Sequence, residues 1–255
     1  MLSLANLYQL GAHRGNSKSK INPKLKSRIH SRTSDVCTID LVSTIDSITR
    51  VKELFSKLGR SKKQILVIGT SNHINHKIIE IAKSFNNGDM PYVNVRWLGG
   101  TLTNWLTVKK SLKVLEKLES IKSDDKFFQT LARNEQLRIS RKIEKMGKFF
   151  DGLKSLKTNR PGAVLVLDAA NNDIAIKEAE LIGCPVIALT NTYITYLPQK
   201  LEYTVLMNNH SIAAVDFVIK ELVESYNQGL VAGQEVKTES ETKVKSEEKT
   251  EVKVN

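Results

Sequence analysis

Two periodicities of apolar residues alternate along this chain. Apolar runs occur in Gln64-Ile65-Leu66-Val67-Ile68, Ala163-Val164-Leu165-Val166-Leu167-Asp168 and Val186–Leu189, with a strand-like Tyr92-Val93-Asn94-Val95 among them. Runs of this kind suit strands buried on both faces of a parallel sheet. Val36–Leu41 reads as a strand ahead of them, and Tyr203–Met207 as a weaker one after. Between the runs the spacing changes to three and four. Ile45, Ile48, Val51, Leu54, Phe55 and Leu58 predict a helix over Thr44–Leu58 that Gly59 closes. Further helices are predicted through Ile78, Ile79, Ile81 and Ala82, over Ile174–Ile182, and over Ile212–Tyr226. A short amphipathic helix over residues 3–10, stopped by Gly11, comes first. Strand and helix in alternation predict an α/β fold with a doubly wound parallel sheet and right-handed crossovers.

The alternation is interrupted once, between the third and fourth strands. Trp105, Val108, Leu112, Leu115, Leu118 and Ile121 form one stripe, and Ile139, Ile143, Met146, Phe150 and Leu153 a second. The polar Lys122-Ser123-Asp124-Asp125 lies between them. Two narrow stripes predict a protruding antiparallel helical hairpin packed like a short coiled coil. The resulting division is an N-terminal helix and basic arm (1–34), a sheet domain (35–104 and 158–228), an inserted hairpin (105–157) and a disordered tail (229–255). From residue 233 the tail alternates Glu, Lys, Thr, Ser and Val with no large hydrophobe.

Charge sharpens this division. The chain of 255 residues carries a net charge of +12. Residues 1–34 hold seven cations and no acid, and residues 109–157 hold fourteen cations against seven acids. Each segment therefore contributes +7, and everything else together is −2. Basicity confined to an arm and one helical region is expected of a surface that neutralises phosphates. The arm spaces its cations by two to four residues with small polar donors between, in His13-Arg14-Gly15-Asn16-Ser17-Lys18-Ser19-Lys20-Ile21-Asn22-Pro23-Lys24-Leu25-Lys26, and Arg28 follows. An extended segment of this kind tracks a phosphate backbone, Arg and Asn adding hydrogen bonds. It is read as disordered until it binds.

Other chemistry is sparse. Cys37 and Cys184 offer neither a disulfide framework nor zinc spacing and read as small buried hydrophobes. No apolar run reaches membrane-spanning length, and the start lacks a signal-peptide pattern, so no membrane partner and no leader are expected. Gly69-Thr70-Ser71-Asn72 follows a strand and precedes a helix, a place where open α/β sheets bind phosphates, but G-x-G-x-x-G and the Walker pair are missing. Ser71 or Asn72 reads as a helix cap, and so do Asp168 and the Asn171-Asn172-Asp173 that follow it. His73 and His76 share a helix face with no third ligand in view, so no metal or cofactor is assigned.

One block has a composition that suits neither a helix nor a strand: Arg96-Trp97-Leu98-Gly99-Gly100-Thr101-Leu102-Thr103-Asn104-Trp105. With Leu10-Gly11-Ala12-His13, Asn22–Lys26, Pro161–Asp168, Ile174–Ala179 and Gly183–Leu189, it resembles the bacterial-type small-subunit ribosomal protein two family over roughly residues 4–228. The resemblance implies a flavodoxin-like domain with a protruding helical hairpin and no catalysis. It implies binding to small-subunit ribosomal RNA and to neighbouring small-subunit ribosomal proteins, including the large one that recruits messenger RNA. The implied place is the small ribosomal subunit, in a cytoplasm or an organelle interior. Carried onto this chain, Arg14, Lys18, Lys20, Asn22, Lys24, Lys26, Arg28, Arg96 and Asn104 become RNA-facing or docking residues. Trp97 and Trp105 become packing anchors, and Gly99 and Gly100 the sharp exit from the sheet. The chain departs from the family at Arg14-Gly15-Asn16, Thr190–Tyr193 and Met207–His210.

Two rival readings make different predictions. An enzyme or nucleotide-binding module would hold a small molecule at Gly69–Asn72 or Asp168–Asp173. A protein-docking module would grip another helix through the hairpin.

Overall fold

The structure, a computed structural model, describes residues 2–17, 21–33, 36–88 and 90–251; for residue 126 and residues 235–251 it describes the backbone alone. Five parallel strands form the main sheet: β3 (Ile65–Ile68), β4 (Tyr92–Val93), β5 (Ala163–Val166), β6 (Val186–Thr190) and β7 (Thr204–Leu206). Their order is β4-β3-β5-β6-β7, with Val67 opposite both Tyr92 and Leu165. This is the flavodoxin-like order, in which the chain reverses direction of winding between β3 and β5. The uninterrupted apolar runs are explained by burial on both sides: every residue of β3, β5, β6 and β7 is buried.

Alternate side chains feed two cores. Ile65, Val67, Leu165, Ile187, Leu189 and Val205 face one layer, built from α1 (Leu4–Gln9), α2 (Leu41–Arg60), α3 (Asn75–Lys83) and α8 (Ile212–Glu251). Leu66, Ile68, Val164, Val166 and Ala188 face the other, where α4 (Trp105–Ser123) and α7 (Asp173–Leu181) pack. Of the predicted stripe of α2, Ile48, Val51, Phe55 and Leu58 are buried and Ile45 and Leu54 partly so, and Asp40 caps the helix by accepting from Val42 N–H at 3.1 Å. Gly59 does not close α2. It lies inside the helix, where an added Cβ would sit 2.1 Å from the Tyr226 carbonyl oxygen, so glycine lets α2 and α8 touch through their backbones.

The strand predicted at Val36–Leu41 belongs elsewhere. β2 (Cys37–Ile39) pairs antiparallel with β1 (Ile29–Arg32), apart from the main sheet. Its second edge is taken by the arm: Gly15 N–H donates to Cys37 O at 2.7 Å, Cys37 N–H to Asn16 O at 3.1 Å and Ile39 N–H to His13 O at 2.7 Å. With both edges occupied, β2 has no ladder left for the parallel sheet.

The insertion holds three helices rather than two. α4 packs against both α5 (Asp125–Thr130) and α6 (Arg133–Phe150). Asp124 caps α5, accepting from Phe127 N–H at 3.3 Å, which shortens the predicted polar turn. Val108 and Leu112 of α4 join the core beneath the sheet, so this helix gives much of its stripe to the domain rather than to a coiled-coil seam. α6 keeps its predicted stripe, half-buried at Ile139, Ile143, Met146 and Phe150, and none of its residues is fully buried. The last helix also differs from expectation. α8 continues past Tyr226 to Glu251, where irregular chain was predicted. Gly229 and Gly233 keep it against Ser56 and Arg60, and no glycine or proline follows to end it.

Candidate functional site

Three polar constellations stand out, and the sequence placed residues in all of them.

The arm is ordered by the protein itself over its described residues. Of its few apolar residues, Ala12 and Leu25 are buried and Ile21 and Ile29 half-buried, and backbone bonds to β2 carry the rest. Asn22 binds on both sides of a turn: its N–H donates to Thr192 O at 3.0 Å, its Nδ2 to Ile194 O at 2.9 Å, and its Oδ1 accepts from Lys24 N–H at 3.0 Å. Composition alone predicted disorder here because these partners lie some 170 residues away in sequence. Arg14, Lys24 and Lys26 are exposed around this scaffold. Arg28 is different. Its guanidinium donates to Thr204 O at 2.8 Å and Leu201 O at 3.0 Å, which ties the arm to the start of β7. Burial, with Arg50 nearby, lowers its pKa. Lys18 and Lys20 lie outside the described residues.

The second constellation is the turn Trp97–Thr103. A single carboxylate, Glu178 of α7, accepts five hydrogen bonds from it. Oε1 takes Trp97 Nε1–H at 3.1 Å and Gly100 N–H at 2.7 Å. Oε2 takes Leu102 N–H at 3.1 Å, Thr103 N–H at 3.3 Å and Thr103 Oγ1–H at 3.2 Å. Glu178 is 6% exposed. Successive backbone N–H groups turned inward make a cradle for an anion, and here the anion is the chain's own. Trp97 is buried and Trp105 packs partly buried on the same core. Gly100 has φ +87°, which an L side chain resists, whereas a Cβ on Gly99 would meet open space. The sharp exit therefore needs one glycine of the pair. Arg96 and Asn104, which flank the turn, are exposed. Sequence reasoning passed over Glu178. The signal was present: an acid on the same helical face as the buried Ala175, Ile176 and Ala179.

The third lies at the carboxyl edge between β3 and β5, the crevice where flavodoxin-like sheets bind ligands. The structure brings Ser71 and Asp168 together here, and they serve neither as helix caps nor as separate sites. Ser71 Oγ–H donates to Asp168 Oδ2, and Asn171 Nδ2 donates to the same oxygen at 2.6 Å. Asn172 Nδ2 donates to Thr70 Oγ1 at 3.0 Å and to Asp168 O at 2.8 Å. α3 and α7 begin without side-chain caps. Asp168 is 4% exposed, so the crevice is filled by its own polar lining.

The remaining candidates fall apart. His73 pairs with Asn209 O at 3.2 Å and faces His210, ring centroids 5.2 Å apart, rather than His76. Among the described residues no group of three or more His, Cys, Asp or Glu is placed to hold a metal ion, and no helix is long and apolar enough to cross a membrane. Both cysteines are free and buried, and desolvation pushes the Cys184 thiol up to about 12. On the insert, Lys109, Lys110, Lys113, Lys117, Arg138 and Arg141 are all exposed.

Comparison with known proteins agrees with this arrangement. The family model for ribosomal protein S2 matches residues 7–229. The small ribosomal subunit protein uS2 of Vibrio cholerae serotype O1 is 34% identical over 89% of this chain and 91% of its own length. Those of Helicobacter hepaticus and Amoebophilus asiaticus are each 32% identical, over 90% and 92% of this chain and 84% and 73% of their own lengths. The match runs through the arm, the Trp97–Thr103 turn, the insert and the whole parallel sheet, and the chain belongs to the ribosomal protein S2 family.

Proposed function

We propose that this protein is a non-catalytic constituent of the small ribosomal subunit that binds folded ribosomal RNA and neighbouring ribosomal proteins. The observation that carries the reading is the family match over residues 7–229, which spans both basic segments. Its relatives are small ribosomal subunit proteins by name. The physics is electrostatic and geometric. The sheet domain is a rigid platform. Arg14, Lys24 and Lys26 on the arm and the exposed cations of α4 and α6 neutralise phosphates and release counterions. Specificity comes from the shape of folded RNA, with Arg96 and Asn104 as additional contacts. Arg28 holds the arm in place, since two of its donors already serve Leu201 and Thr204. The role is taken to be in the compartment where those ribosomes work, with the messenger-recruiting protein among the neighbours.

The crevice favours no second reading, because Asp168, Ser71 and Asn171 satisfy one another inside it.

The test is sedimentation of the full chain with small subunits across a salt series. The bound fraction should fall steeply as salt rises. Arg14→Ala, Lys24→Ala and Lys26→Ala together should make the log–log slope shallower by about one for each phosphate that is no longer neutralised. Recovery of the protein only in the free fraction would sink the reading. An unchanged slope in the triple variant would remove the arm from it.

A further inference from the structure

We propose that Glu178 is the positioning residue for the loop that carries Arg96 and Asn104, and that it sets this loop in its binding-ready shape before any partner arrives. The inference rests on the reading of that loop as a contact of the assembled subunit.

Trp97, Gly100, Leu102 and Thr103 turn five N–H and O–H groups toward one side-chain carboxylate on another element. The two oxygens of the carboxylate accept, which suits a cradle made only of donors. Three of the five are backbone N–H groups, whose directions the turn fixes, so they cannot swing to another partner. Without Glu178 they would need water or an outside anion.

The position follows from the fold. α7 buries Ala175, Ile176 and Ala179 against the sheet, and Glu178 shares that face. Trp97 and Leu102 of the loop belong to the same buried cluster as these residues, and the Glu178 carboxylate reaches the loop beside it. The loop also closes on itself: Thr101 N–H donates to Leu98 O at 3.1 Å and Asn104 N–H to Gly100 O at 2.8 Å. Arg96 immediately precedes the first donor residue and Asn104 immediately follows the last. Fixing 97–103 therefore fixes the backbone from which both exposed side chains extend. A surface ordered in advance avoids the entropy of ordering at the moment of binding. Glu178 itself, 6% exposed, does not face the partner.

The test uses the full chain and small subunits stripped of this protein as the probe. Glu178→Gln keeps the shape of the side chain but turns an amide N–H₂ toward donors. Amide exchange at Gly100, Leu102 and Thr103 should quicken by about tenfold or more, the worth of one hydrogen bond, while amides of Leu165 and Ile187 stay unchanged. Binding is then measured for wild type, Arg96→Ala, Glu178→Gln and the double variant. Each single change should weaken binding, and the double should be no weaker than the weaker single, because Glu178 acts through the loop that holds Arg96. A general structural role would make the losses add. Additive losses, or Glu178→Gln binding like wild type, overturn the proposal. Wild-type protein failing to bind the stripped subunits overturns the functional reading instead. If Glu178→Gln is unfolded at the assay temperature, Thr103→Val, which deletes one donor at an exposed position, takes its place with the same expectation in smaller degree.

Discussion

Asp168 and Glu178 are both buried carboxylates on the segment that leaves β5, and both accept hydrogen bonds from distant chain. They differ in what donates to them. At Asp168 the carboxylate donors are side chains, Ser71 Oγ and Asn171 Nδ2, which lie half-buried and exposed and can turn toward water. At Glu178 three of five donors are backbone N–H groups of a tight turn. The first network fills a crevice that a flavodoxin-like sheet otherwise leaves open. The second builds a surface loop. A polar cluster made of side chains is replaceable, whereas one made of backbone depends wholly on its single acceptor.

Mutation can separate the two carboxylates. Glu178→Ala should have the largest effect, a loss of about 2–5 kcal/mol, because it strands the buried Trp97 Nε1–H and Leu102 N–H without a partner. Urea denaturation measures it, and a loss below about 1 kcal/mol would mean that water solvates the cradle as well as the carboxylate does. Asp168→Ala should cost less, about 1–2 kcal/mol by the same measurement, since its donors can reach solvent. A cost equal to that of Glu178→Ala would erase the distinction. A last pair of variants, ending on the smallest effect, separates the two glycines of the turn. Gly100→Ala should cost about 1–2 kcal/mol from its left-handed backbone, and Gly99→Ala should stay within about 0.5 kcal/mol of wild type. Equal costs at both positions would show that the turn uses the pair as a unit.

The sheet domain was largely legible in advance. The runs at Gln64–Ile68, Ala163–Asp168 and Val186–Leu189 hold β3, β5 and β6, and Ile48, Val51, Phe55 and Leu58 of the predicted stripe lie on the buried face of α2. Burial follows local periodicity, so it can be read from neighbours in sequence. The misreadings share another cause. Gly59 looked like a stop, but its role is set by Tyr226 on a different helix. Val36–Leu41 looked like a strand of the main sheet, but its edges are claimed by residues 13–16 and 29–32. The arm looked unable to order itself because the carbonyls that hold it lie on Thr192, Ile194, Leu201 and Thr204.

Family, α/β alternation, the two cores and the segregation of positive charge into an arm and an insert were determined by the sequence. These rest on composition and on spacings of two, three and four residues, which the chain carries locally. Only the tertiary structure decided which polar groups meet. Glu178 reaches Trp97 across 81 residues, Asp168 reaches Ser71 across 97, and Arg28 reaches Leu201 across 173. Hydrogen bonds are directional and short, and their partners have no periodic signature. Folding must bring the elements together before one carboxylate can be told from another.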